Sequence, residues 1–363
     1  MRAIRRGTVI DGLRVLEPLG RGGTATVHLV HDLRAGEFRA LKLMKPPRAG
    51  FRWRVDREWM AVGAVQHPNV VRVHRSVDTP DGHQGVLMDY VAGPSLREWS
   101  QHARPGVDDV ICVAAGLLRG LVAIHRASLA HRDLKPGNVI LGVFGTVVRP
   151  VVLDFGIAKD LDEDAGWTAP DLLLGTPTYM SPEQLRDPSA VGPETDVFAA
   201  GVILYELLSG TRLRRKAQTA ELDLTPPTAS RVRDALPEDL PPNVLDLVID
   251  MLAMDPAARP TAEEALDRLL SHLASDHRSR DGELTQDSEG GRAVLEQPYD
   301  LSASHDLDAV AEVAEVLAVT RASRQPDRLP VWNARLVRSV ALGVAFGVLL
   351  GAALACGAIL AIP

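Results

Sequence analysis

His131-Arg132-Asp133-Leu134-Lys135-Pro136-Gly137-Asn138 is the stretch from which the rest of the chain is read. Between Asp133 and Asn138, six residues hold a carboxylate, an ammonium and a carboxamide. Phosphoryl transfer needs such a set: an acceptor for a hydroxyl proton, a cation near the moving phosphate, and an oxygen ligand for a divalent metal. So short a string also arises by chance. What decides is whether the chain supplies the partners such a loop requires, in order, on both sides.

Downstream, Val139-Ile140-Leu141 and Val151-Val152-Leu153 read as two short strands, and they lead into Asp154-Phe155-Gly156. Residues 157–180 show little periodicity and close on Gly175-Thr176-Pro177-Thr178-Tyr179-Met180-Ser181-Pro182-Glu183. Glu183 calls for a buried arginine, because an unpaired buried carboxylate is costly. Asp196 opens an apolar helix over 197–208. Upstream, 95–100 and 107–127 carry apolar residues at spacings of three and four, which predicts helices.

Before Gly93 the pattern changes to strands. Residues 13–32 predict two strands around Leu19-Gly20-Arg21-Gly22-Gly23-Thr24-Ala25-Thr26-Val27. Glycines there let backbone N–H groups approach phosphate oxygens with no Cβ in the way. Lys42 interrupts the apolar strand Phe38-Arg39-Ala40-Leu41-Lys42-Leu43-Met44. Residues 54–65 read as helical and carry Glu58, with Asp56 on a different helix face. Val70-Val71-Arg72-Val73 and Gly85-Val86-Leu87-Met88 predict two more strands, with a turn at 78–82, followed by Asp89-Tyr90-Val91-Ala92-Gly93.

Taken together, these motifs resemble a bacterial-type serine/threonine protein kinase over about residues 13–272. The opening stretch is similar to the H-R-D-x-x-x-x-N catalytic loop, 20–27 to the Gly-rich loop G-x-G-x-x-G-x-V with Ala25 at its third glycine, and 154–156 to D-F-G. The closing segment resembles G-T-x-x-Y-x-A-P-E with Ser181 for Ala. The resemblance implies an α+β fold of two lobes, β-rich over 13–92 and α-rich over 93–272.

It also implies ATP and Mg²⁺ (or Mn²⁺) as cofactors and protein Ser/Thr hydroxyls as acceptors. Asp133 and Lys135 are then the catalytic residues, and Asn138 and Asp154 the metal ligands. Leu19, Gly20, Gly22, Gly23, Val27, Ala40, Lys42, Glu58, Met88, Asp89, Val91 and Ile140 make the ATP site, with Lys42 on the α- and β-phosphates and Glu58 as its partner. The apolar members of that set suit an ordinary core equally well; the order of the motifs selects them. Arg259 stands where the family pairs Glu183, Asp196 braces the catalytic loop, and Thr176 hydrogen-bonds near Asp133 and Lys135. Lys135, two residues after Asp133, favours Ser/Thr over Tyr acceptors.

Arg132 before Asp133 often goes with a phosphate on the activation segment. Thr168, eight residues before Thr176, is the candidate autophosphorylation site, against the reading of a plain loop residue. Arg212, Arg214, Arg215 and Lys216 read first as a solvated charged face and second as a dock for acidic partners.

The 363 residues are 46% hydrophobic, enough for a substantial core, and net charge is −7, with no basic stripe that suits nucleic acid. Two cysteines in unlike contexts imply no disulfide framework. Residues 273–335 are polar and read as a largely disordered juxtamembrane linker, with Leu307, Val310, Val313 and Leu317 at helical spacing.

Residues 340–362 form an uncharged run of 23 that, as a helix, spans roughly 34 Å, enough for a single transmembrane pass. Arg335 and Arg338 before it put the kinase-like part on the cytoplasmic side of the cell membrane and the C-terminus at the outer face. Gly343, Gly347, Gly351 and Ala355 recur every fourth residue. That spacing allows a homodimer through this helix, or reflects only how common small residues are in such helices.

Overall fold

The computed structural model describes residues 4–22, 25–44, 62–80, 82–102, 105–144, 147–154, 177–187, 191–214 and 228–280. Six strands come first: β1 (Val9–Ile10), β2 (Leu13–Arg21), β3 (Ala25–Asp32), β4 (Glu37–Met44), β5 (Val73–Asp78) and β6 (Gln84–Asp89). They form one antiparallel sheet in the order β1-β2-β3-β4-β6-β5. Side chains alternate across a strand, so β4 serves two faces. Leu41 and Leu43 join Leu13, Val15, Val30, Val77 and Leu87 on one. Ala40 and Met44 join Ala25, Val86 and Met88 on the other, and Lys42 lies between those two in the alternation.

The second lobe is helical. It holds α1 (Leu96–His102), α2 (Val107–Arg126), the hairpin β7 (Val139–Phe144) and β8 (Val147–Val152), α3 (Pro182–Arg186), α4 (Pro193–Ser209), α5 (Ala229–Ala235), α6 (Pro242–Met251) and α7 (Ala262–Arg280). α2 turns an apolar stripe inward. α4 is buried on nearly every side from Thr195 to Leu208, and a helix apolar all round belongs in the middle of a lobe. Its fully buried Phe198 and Ile203 each contribute about 1.5–3 kcal/mol by burial alone. It stops at Gly210, whose φ of 65° is the left-handed cap that glycine adopts without a Cβ clash.

Two chain crossings join the lobes. After β6, the amides of Leu141 and Val143 donate to the carbonyls of Pro94 and Ala92 at 2.8 and 2.9 Å, which lays the connector along β7. Gly93 is required there: its φ is +157°, and a Cβ would stand 1.9 Å from the Leu141 carbonyl oxygen. Before β5, Val71 donates to the Val152 carbonyl (2.9 Å) and Val152 to that of Asn69 (2.8 Å).

Two of the expected elements shift in their bounds. The strand read at Val70–Val73 begins only at Val73; Val70 instead makes a parallel bridge to Val152. A short apolar run reads alike in either setting. The last helix continues past His272 to Arg280, and Leu270 and Leu273 still pack on the core. Helices read at 95–100 and 107–127 are found at Leu96–His102 and Val107–Arg126. Among the described residues no helix is long and apolar enough to cross a membrane. The run at 340–362 lies outside them, as does most of 273–335.

Candidate active site

The loop 131–138 is held from below. Asp196, at the start of α4 and 1% exposed, accepts the backbone amides of His131 (2.7 Å) and Arg132 (2.8 Å) and the ring Nε2–H of His125 (2.9 Å). Three donors satisfy a carboxylate that burial would otherwise penalise. The same bonds hold Arg132 at φ 61°, a left-handed conformation that a non-glycine residue adopts only when its surroundings impose it. His131, fully buried, donates from Nε2 to the Leu153 carbonyl at 2.6 Å.

Above that base the polar groups converge. Lys135 Nζ meets Asp133 Oδ2 at 2.5 Å. Asn138, in the 3-10 turn Pro136–Asn138, donates from Nδ2 to the Asp133 carbonyl (2.9 Å) and to its Oδ2 (3.2 Å). An amide that donates with its nitrogen keeps its carbonyl oxygen as an acceptor. Leu153 N–H donates to the Asn138 carbonyl at 2.7 Å, which brings Asp154 next to Asn138. Asp154 is a second residue in the left-handed region, at φ 48°. Its Oδ1 lies 3.1 Å from Lys42 Nζ, so the strand lysine of the first lobe meets the carboxylate of the second across the cleft. The partner expected for Lys42, Glu58, lies outside the described residues, as do Gly23, Phe155, Gly156, Thr168 and Thr176.

The apolar half of the predicted site also assembles. Leu19, Val27 and Val91 pack against a cluster that includes Ala40 and Met88. Ile140 is half-buried on β7, opposite Val151 and bridged to Ser95, outside that cluster. Gly20 pairs with Val27, and Gly22 N–H donates to the Ala25 carbonyl at 2.8 Å. The Asp89 carboxylate is taken by Arg39 (2.9 Å) and His74 (2.7 Å), and its amide donates to the Arg72 carbonyl (2.9 Å).

Beside the loop, Arg259 grips Glu183 with both Nη atoms, at 2.7 and 2.8 Å. It also donates to the carbonyls of Ala253 and Glu194, both at 2.9 Å, and lies over the Phe198 ring. Burial pushes the Glu183 carboxyl up, but the bonds from Arg259 and Ser181 outweigh it and hold the group down at about 2. Ser181 caps α3 by accepting the Gln184 amide, with Pro182 at the first helical position. Gln184 in turn donates to the Arg132 carbonyl at 2.8 Å. Gln184 was not singled out in the sequence; its place three residues after a capping serine was the available signal.

The basic cluster after α4 is corrected. Arg214 is 3% exposed and donates to the carbonyls of Met180 (2.5 Å) and Thr178 (3.4 Å). Arg212 pairs with Glu206 at 2.9 Å. Arg214 therefore does not belong to a solvated face, because two backbone carbonyls and the Phe198 ring draw its guanidinium in, whereas Arg212 keeps to the surface at 47% exposure. Arg215 and Lys216 lie outside the described residues.

A divalent cation of the Mg²⁺ kind is held through one or two protein carboxylates plus substrate phosphates and water. No group of three or more His, Cys, Asp or Glu that suits a metal occurs among the described residues. The Asp154 carboxylate and Asn138 carboxamide side by side fit the sparse kind of site.

Comparison with known proteins agrees with this geometry. Residues 13–270 match the family model described as protein kinase domain. The chain is 34% identical over 280 residues to the serine/threonine-protein kinase pkn2 of Myxococcus xanthus, covering 72% of this chain and 32% of the relative. It is 35% identical over 253 residues to the serine/threonine-protein kinase PknL of Mycobacterium tuberculosis, covering 66% and 60%. It therefore spans between about a third and three-fifths of the length of these relatives. The crystal structure of the Mycobacterium tuberculosis PknI kinase domain superimposes with a TM-score of 0.58 at 24% identity, over 74% of this chain and 99% of that one, a likeness of fold.

Proposed function

This chain belongs to the protein kinase family, on its serine/threonine side, and from that premise we propose that it transfers the γ-phosphoryl group of ATP to Ser and Thr hydroxyls of proteins. The observation that carries the reading is the meeting of Lys42 with Asp154, 3.1 Å apart across the cleft and beside the Asp133–Lys135–Asn138 cluster. Two lobes contribute opposite charges to one point, which is where a triphosphate and its metal would neutralise both.

Asp133 takes or orients the proton of the acceptor hydroxyl, and Lys135 offsets charge on the transferring phosphoryl. Lys42 holds the α- and β-phosphates. Asp154 and Asn138 would hold Mg²⁺ or Mn²⁺, which supplies charge neutralisation between the phosphates. Leu19, Val27, Ala40, Met88, Val91 and Ile140 wall the adenine, and the backbone of Asp89 and Val91 binds its edge. Glu58 orients Lys42. Little covalent chemistry falls to the protein; positioning and fixed charge do the work.

The domain limits at 13 and 272, the linker over 273–335 and the transmembrane pass over 340–362 belong to the same proposal. They make the chain a single-pass membrane kinase, cytoplasmic in its catalytic part, with Thr168 as its activating autophosphorylation site. The uncharged run of 23 residues supports the anchor, and the four-residue repeat of small residues supports a homodimer through it.

The test is transfer of labelled γ-phosphate from ATP to the chain itself and to an added protein, compared with Asp133→Asn. Transfer by the wild type that Asp133→Asn abolishes supports the reading; equal transfer by both discards it.

A further inference from the structure

Thr178, Tyr179 and Met180, just before the Ser181 cap of α3, are held by Arg212, Leu213 and Arg214, which come after Gly210 and Thr211 at the end of α4. Arg214 donates from one Nη atom to two backbone carbonyls, Met180 at 2.5 Å and Thr178 at 3.4 Å. Its guanidinium also lies 5.2 Å from the centre of the Phe198 ring, while Arg259 stacks on the same ring at 4.9 Å. One buried aromatic side chain thus carries two cations, and each cation reaches a different part of the segment before and within α3.

The residue between the two carbonyls is held separately. Tyr179 donates its hydroxyl to Glu206 at 2.7 Å, and Arg212 bonds both that hydroxyl and Glu206 (2.9 Å). Leu213 N–H completes the carboxylate at 3.4 Å. Burial, with the Glu206 charge beside it, pushes the Tyr179 hydroxyl well above its ordinary pKa, so it remains a donor. Segment 178–180 is therefore fixed through backbone on both sides and side chain in the middle.

That segment borders the active site. Tyr179 and Met180 line one small cavity together with Asp133, Lys135 and Gln184. A protein acceptor that brings a hydroxyl to Asp133 lies along the loop and beside segment 178–180, where Thr178 is half-buried over the buried Tyr179 and Met180. On the kinase reading ATP belongs with Lys42 and Asp154.

We propose that Arg214 is a positioning residue for the protein acceptor: by holding the Thr178 and Met180 carbonyls it sets the wall against which the acceptor chain lies, without acting on ATP. This rests on the kinase reading above. A buried arginine is a costly way to fill space, and its charge-assisted bonds to carbonyls are the compensation. Lysine keeps a charged donor for the carbonyls but lacks the planar guanidinium beside the Phe198 ring, so it holds the segment only in part.

The experiment uses the full chain with Arg214→Leu and Arg214→Lys and reads three quantities. With dephosphorylated casein as a generic acceptor, the KM for casein rises roughly tenfold or more in Arg214→Leu and less in Arg214→Lys. ATP hydrolysis without acceptor, and the KM for ATP, stay within about twofold of wild type. Amide hydrogen exchange over 178–184 speeds up in Arg214→Leu while α2 and α4 keep their protection.

A parallel fall in ATP hydrolysis, an unchanged casein KM, or unchanged exchange at 178–184 each overturn the proposal. Failure of both variants to fold also overturns it, since Arg214 is then a core residue only. The exchange measurement needs no turnover, so it separates a failure of this proposal from a failure of the kinase reading, which Asp133→Asn tests on its own.

Discussion

Two ion pairs flank the same loop and differ in completeness. Arg259 and Glu183 are joined by two short bonds, and the Arg259 side chain is fully buried with further carbonyl partners. Lys42 and Asp154 share one contact at 3.1 Å, stay 17% and 29% exposed, and come from different lobes. The first pair is a finished piece of framework. The second is two charges held near each other where the proposed function puts a ligand that carries both phosphate and metal. The difference teaches where to look for stability and where for chemistry: satisfied groups hold the fold, and groups left partly open do the work.

Mutation separates the two. The largest effect is expected at the open pair. Lys42→Met lowers kcat/KM for phosphoryl transfer by on the order of 10³-fold, as loss of one preorganised charge at a reacting centre does, while Tm moves by no more than about 2 °C. A large drop in Tm would put Lys42 in the framework too and break the contrast.

At the finished pair the order reverses. Arg259→Leu strands the Glu183 carboxylate in a buried place and costs about 3–5 kcal/mol in urea unfolding. Replacing both partners with leucine recovers most of that, because no charge is then left without its mate. If the single variant is as stable as wild type, the framework role is wrong.

Acid sharpens the same point. The folded Glu183 carboxyl sits at about 2 against an ordinary 4.5, so it binds its proton more weakly folded than unfolded. Its contribution is full above pH 4.5 and is lost as pH falls toward 2. The shift corresponds to about 3 kcal/mol, and Glu183→Gln should flatten that part of a stability–pH profile. A profile that Glu183→Gln leaves unchanged would show that the pair is not what acid breaks.

The smallest effect belongs to a pair outside both regions. Arg126 and Glu263 meet at 2.6 Å but are 68% and 58% exposed. Arg126→Ala should change stability by less than about 1 kcal/mol, and less still at high salt.

Local spacing made much of the site legible. Asp133, Lys135 and Asn138 sit within six residues, so a single turn is enough to gather them. Lys42 stands out as the charge that interrupts an apolar strand, and alternation along β4 sets it on the face with Ala40. Asp196 under the loop and Arg259 on Glu183 were reached only through the resemblance, since nothing local links residues 65 or 76 positions apart.

What stayed hidden was decided by tertiary surroundings. Arg214 carries the same charge as nearby Arg212, Arg215 and Lys216, and only the Phe198 ring and two loop carbonyls make it a core residue. Val70 looks like any strand valine, and only β8 across the lobe boundary claims it.

The two crossings between lobes have a mechanical consequence. Each is bonded to the second lobe up to a definite residue, Val71 on one and Ala92 on the other, and each belongs to the first lobe's sheet from Val73 and back to Asp89. Between lie Arg72 on one side and Tyr90–Val91 on the other. The Asp89 amide bonds the Arg72 carbonyl, so these two short lengths are pinned to each other. A body joined at two adjacent pins keeps one easy motion, rotation about the line through them, and resists twist and slide. Rotation about that line would part Lys42 from Asp154 or bring the two together, with little sideways slip.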